Sequence, residues 1–134
     1  MKVSVTDNTS MVVDGMAGAS RATVVAVLAV VVRSGARLEG RVKRNASGRP
    51  GPNAPTGDYR RSLRRRTERR KNSARTSVGS AHPASRRLEL GFVGTDALGR
   101  VYDQPPFPHL GPGLDAEAPD FERDIRSAIA QGQS

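Results

Sequence analysis

Between Arg60 and Arg75 the chain carries nine basic residues and a single acid, Glu68. A run of that density suits one of two kinds of partner. It can neutralise phosphates, with affinity that falls steeply as salt is added, or it can meet acidic groups on another protein surface. Base reading normally adds polar side chains on a recognition helix, or aromatics on which bases stack. Here no aromatic follows Tyr59 within the run, and its arginines fall on both faces of an extended chain. The reading favoured is a projecting, two-sided hairpin that meets acidic surfaces on other subunits. A small basic nucleic-acid-binding protein is the alternative, and an antitoxin-like regulatory partner is a more distant third.

No other grouping invites chemistry. There is no cysteine, so disulfides and thiolate metal sites are excluded. His82 and His109 each adjoin a proline, and nothing near them has ligand spacing. No paired carboxylate lies in an apolar setting, and no phosphate-cradling glycine loop is present. The acids from Asp115 to Asp124 fall at the start of a helix, where its dipole accounts for them. The chain is therefore expected not to be an enzyme and to hold no cofactor or metal.

Charge is unevenly spread. Residues 33–87 hold 17 Lys/Arg and three Asp/Glu, whereas residues 88–134 hold three Arg and eight Asp/Glu. A basic middle and an acidic tail suit head-to-tail contact between subunits as well as they suit an anionic partner. Large apolar residues are scarce, with 27 Val, Leu, Ile and Phe among 134 and no Trp. Such a chain buries little area relative to the backbone entropy it gives up, and packing against other subunits would supply the rest. The apolar run Thr23–Val32 is too short to span a bilayer. It begins too far in, behind Asp7 and Asp14, for a signal-peptide core, so a cytoplasmic setting is expected.

The elements that must position the arginines follow from spacing. Residues 1–19 read as short strands or an arm. Ser20 is a reasonable N-cap for a helix to about Asn45. Val24, Leu28, Val31, Gly35, Leu38 and Val42, spaced four, three, four, three, four, draw its apolar stripe. The first half of that helix is apolar all round, because Val25, Val27, Val30 and Val32 fill its other faces, so it is either deep in a core or clasped by a neighbour. Residues 46–58 are a proline- and glycine-rich loop. A hairpin is expected over 59–80, with Tyr59 and Leu63 on one face, a turn near Lys71-Asn72-Ser73, and Ala74, Thr76 and Val78 facing one way. A short helical turn with Leu88, Leu90 and Phe92 follows, then loop with a brief strand at Arg100–Tyr102. A C-terminal helix is expected over about 116–131, with Phe121, Ile125 and Ile129 inward and Gly132 ending it.

Three segments are then familiar. "APTGDYRRSL" (Ala54–Leu63) resembles the Pro-x-Thr-Gly-x-Leu-Arg-x-Ser-Ile segment of a family of bacteriophage tail-component proteins. These are the small head-tail joining, or tail-completion, proteins of long-tailed phages. Thr56, Gly57, Arg60 and Ser62 match, while Tyr59 and Leu63 replace the usual Leu and Ile. "VGSAHPASRRLELGFVG" (Val78–Gly94) is similar to a segment ending in Val-Glu-Phe-Gly, with Glu89 and Gly91 in place. "QPPFPHLGPGLD" (Gln104–Asp115) is similar to the family's proline-rich ending through Pro106, Phe107, Leu110, Pro112, Leu114 and Asp115.

The resemblance implies an α+β fold, a long N-terminal helix on a small antiparallel sheet followed by a C-terminal helix, in a single domain over residues 20–134. It further implies a ring of subunits, commonly six, in the neck of the virion. That ring would sit between the head-closure protein and the tail terminator, around the channel that genomic DNA crosses. On this reading no membrane is involved. Contact residues expected are Val24, Val27, Leu28, Val30 and Val31 on the helix, and Tyr59, Arg60, Arg61, Arg64, Arg65, Arg66, Arg69 and Arg70 on the hairpin. Tyr102, Pro106 and Phe107 are added from the later loop.

Overall fold

Ser20 begins the element that organises the rest. Its hydroxyl accepts from the Thr23 N–H at 3.2 Å, and from there α1 (Arg21–Asn45) runs unbroken. The computed structural model describes residues 1–6, 10–53, 56–95 and 97–133, with Thr6 and Tyr102 described by backbone alone. Before α1 come β1 (Lys2–Thr6) and β2 (Ser10–Asp14); after it come α2 (Asp58–Ser62), β3 (Arg64–Arg69) and β4 (Ser73–Gly79). The chain continues through α3 (Ser85–Leu90), β5 (Phe92–Thr95), β6 (Val101–Gln104) and α4 (Leu110–Gly132). The architecture is α+β, as expected.

Four strands form one antiparallel sheet in the order β1-β2-β4-β3. Period-two alternation gives it an inner face: Met11 opposes Thr76, Val13 opposes Ala74, and these with Val78 are buried. The outer face is polar, with Arg75 and Arg66 both paired to Glu68. β3 is an edge strand, and its arginines are exposed on both faces. Helix α1 lies over β4 and β3, and α4 packs beside it, reaching β2 and β1. Val27, Val30, Val31, Leu38 and Val42 of α1 meet Leu114, Phe121 and Ile125 of α4 in one core with the sheet.

The inward stripe of α1 differs from the expected one in its first half. Thr23, Val27, Val30 and Val31 are buried, whereas Val24 and Leu28 are only half-buried. The apolar-all-round sequence left several faces available, and the second helix decides which turns inward. Helix α4 begins near Leu110, earlier than the expected start around residue 116. Its first turn includes Gly111, Pro112 and Gly113, which read as loop. Proline is tolerated there because the first-turn N–H groups have no partner within the helix. Gly113 lets the two helices close up, since a Cβ on it would stand 2.7 Å from a Val42 methyl. Pro119 removes one bond to the Asp115 carbonyl on an exposed side of the same helix.

Tyr59 also differs. It lies in α2, opened by Gly57 at φ 77°, and not in a strand, so the hairpin is Arg64–Gly79. The ribbon of β5 and β6 is a second, two-stranded sheet.

One packing detail yields a direct test. A Cβ built on Gly35 would stand 2.3 Å from the Thr76 hydroxyl, but one on Gly40 of the same helix would meet only the far end of Arg44. Gly40→Ala is therefore expected to stabilise by about 0.5–1 kcal/mol, the usual helix-propensity gain. Gly35→Ala is expected to destabilise by about 1–3 kcal/mol through overpacking. Urea unfolding of the two variants checks the opposite signs.

Candidate functional site

Three features of the structure could do work: a buried polar pin, an arginine–carboxylate ladder and the arginine edge of the sheet. The pin is centred on His109, which is 0% exposed. Its Nδ1 faces two acceptors, the Phe107 carbonyl and a Glu89 oxygen, each at 3.1 Å, so Nδ1 carries the proton. Its Nε2 meets the Tyr59 hydroxyl at 2.5 Å, and that hydroxyl also bonds Ser85 Oγ at 3.0 Å.

The Glu89 carboxylate accepts from the backbone N–H groups of His109 and Leu110 at 2.8 Å and of Gly111 at 3.1 Å. It thus caps the first turn of α4, where orphan donors and the helix dipole favour an anion. Burial alone would raise its pKa, but the bonds from the His109 side chain and these three N–H groups outweigh that and lower it to about 2. Burial also raises the Tyr59 phenol. Gly91 follows α3 at φ +79°, and a Cβ there would stand 2.8 Å from the Gln104 carbonyl oxygen. The Phe107 N–H closes the loop onto the Leu88 carbonyl at 2.6 Å. With His109 sealed and both Glu89 oxygens bonded, the arrangement fixes chain segments to one another.

The ladder joins α1 to α4. Glu117, Asp120 and Asp124 lie on one face of α4 at helical spacing, and Arg37 and Arg41 lie one turn apart on α1. Arg37 bonds Glu117 through Nε at 3.0 Å and Asp124 through Nη2 at 2.7 Å. Arg41 bonds Glu117 at 3.1 Å and Asp120 at 3.0 Å, and the Ser34 hydroxyl adds a third contact to Glu117 at 2.6 Å. The Arg37 hydrogen bond holds the Asp124 carboxyl below its ordinary pKa. These acids of the tail are therefore neutralised by arginines of the same chain.

The edge strand keeps its charge outward. Arg64, Arg65, Arg66, Arg69 and Arg70 are exposed; Arg61 pairs with Asp58, and Arg60 donates to Ser47 Oγ at 3.0 Å. The other expected contact residues are placed differently. Val27, Val30 and Val31 lie in the chain's own core and are not available to a neighbouring subunit, because α4 already covers them. Val24 and Leu28 pack half-buried against that core. Tyr59 is buried in the pin. Phe107 is half-buried under the Arg49 guanidinium, 3.7 Å from its ring centre, which ties the loop after α1 to the loop before α4. Pro106 is exposed beside it. The Tyr102 side chain lies outside the described residues.

Sequence reading missed the pin. His109 looked idle because its partners are 50 and 20 residues away. The one available signal was Glu89, an acid flanked by leucines.

Fold and site together define an α+β protein with two helices on one face of a four-stranded antiparallel sheet, locked by buried polar contacts and edged with arginine. No family model, curated protein or solved structure matches the chain. Among the described residues no cluster could hold a metal ion, and no helix is long and apolar enough to cross a membrane.

Proposed function

We propose that the chain is a structural subunit of a phage head-tail connector, a ring in the virion neck that joins the DNA-filled head to the tail. The observation that carries this reading is spatial. The three segments that resemble the tail-completion family, far apart in sequence, converge on one place: the matched Glu89 of the second accepts from the N–H of the matched Leu110 of the third, and Tyr59 of the first, where the family has Leu, joins them through His109. Segments with a shared architectural role would behave in this way.

Surface area adds support. The chain exposes 8007 Å², against about 6,800 Å² for a self-contained monomer of its mass. The surplus of about 1,200 Å² exceeds the roughly 800 Å² that one partner contributes to an ordinary interface. With the tail acids partly neutralised internally, the β3 arginines are left for acidic surfaces on the head-closure and tail-terminator proteins. Genomic DNA would pass through the channel.

Reversing Arg64, Arg65 and Arg66 together to Glu should leave the fold intact by circular dichroism, since all three are exposed. In an infection supplied only with that variant, filled heads and finished tails should accumulate unjoined. Normal virions would show that the edge strand makes no such contact.

A further inference from the structure

We infer that copies of this chain join head to tail, the β5–β6 ribbon of one copy lying on the outer stripe of α1 of the next. The inference rests on the ring reading above and supplies the contact that closes the ring.

The outward face of α1 is unusual. Ala22, Val25, Ala29, Val32 and Ala36 recur every three or four residues and are exposed, Val25 at 60% and Val32 at 54%. An ordinary surface helix places charged and polar residues there. This stripe is about 21 Å long at 1.5 Å per residue. Beside it a groove of about 390 Å³ runs between α1 and α4, lined by Ala26, Ala29, Arg33 and Ala128 among others.

The ribbon offers a matching surface. Its register sets Val93 opposite Asp103 and Thr95 opposite Val101, so these four side chains share one face. All four are exposed, and the two valines stand at 79% each. A two-stranded ribbon is marginal in water without something to cover a face. Each four-residue strand is about 13 Å long, which fits within the stripe.

The occupant of each surface is a second copy of this chain, for two reasons. Charge is complementary across the proposed contact: Arg33 is exposed between Ala29 and Ala36, and Asp103 lies on the ribbon face. Packing α1 on α1 would instead leave the ribbon uncovered and Asp103 without that partner. The second reason is symmetry. Two unlike patches on one chain make a heterologous contact, which propagates from copy to copy and gives a ring where the rotation closes.

Because the chain has no cysteine, single cysteines report the contact cleanly. Val32→Cys and Val101→Cys proteins, mixed and oxidised, should form a disulfide-linked pair, while neither alone should. Self-linking of Val32→Cys would overturn the proposal in favour of helix-on-helix dimers. In a second arm, Val25→Asp/Val32→Asp and Val93→Asp/Val101→Asp proteins should each be folded monomers by light scattering. Mixed one to one, they should give a two-chain species and stop there, because only one intact contact remains. Rings that persist in either variant would overturn this interface and leave the ring reading standing. Wild-type protein that is itself monomeric would overturn both.

Discussion

Glu117→Ala is expected to cost about 3 kcal/mol, the low end of the range for removing one partner of a buried ion pair. Glu117 is 0% exposed and takes three side-chain hydrogen bonds, from Ser34, Arg37 and Arg41. Its loss leaves the Ser34 hydroxyl buried without that acceptor and frees both guanidinium groups from their shared centre. The low end applies because Arg37 and Arg41 remain 39% and 31% exposed and keep Asp124 and Asp120 as partners. For a chain of this size the melting temperature should fall by on the order of 10 °C. Asp120→Ala and Asp124→Ala should each cost under about 1 kcal/mol, since these pairs are reached by solvent and each arginine keeps Glu117 as a partner. Urea titrations of the three variants check the contrast; equal losses would mean that the ladder acts through surface charge and not through the buried centre.

The second large effect is carried by Glu89 and depends on pH. Its pKa is about 2 in the folded chain against 4.5 in the unfolded one. The folded value is depressed, so the contribution is fully present above about 4.5 and is lost as pH falls through about 2. A shift of that size corresponds to about 3 kcal/mol. Glu89→Gln should be destabilised by a comparable amount at neutral pH, because an amide cannot replace the anion among three backbone N–H donors and the His109 Nδ1–H. The difference between wild type and Glu89→Gln should shrink steadily between those two pH values and vanish below the lower one. A difference that does not change with pH would show that Glu89 acts by shape and not by charge.

Local patterns carried much of the fold. Ser20 as a cap, the reach of α1 to Asn45, the alternation of Ala74, Thr76 and Val78, and the Phe121–Ile125 stripe all follow from neighbours within a few residues. Where long-range contacts decide, the sequence misled. Helix α4 starts at Leu110 because Glu89, from another element, accepts its first N–H groups. Tyr59 lies in α2, opened by Gly57, where its hydroxyl meets His109 from 50 residues away. The choice of Val27 and Val30 over Val24 and Leu28 for the core is made by α4, and no property of α1 alone distinguishes them. The acidic tail read as suited to other subunits, yet three of its carboxylates meet Arg37 and Arg41 of the same chain. Among the described residues, the side chains left exposed include Val25, Val32, the ribbon valines and the β3 arginines.

The most direct test of the assembly reading is sedimentation velocity of the wild-type protein at micromolar concentration, from low to high salt, with and without duplex DNA. One closed multimer is expected, its mass a fixed multiple of 14.3 kDa and unchanged by salt because its subunit contact is largely apolar. A compact monomer that sediments alone at every salt, and binds the duplex only when salt is low, would contradict it.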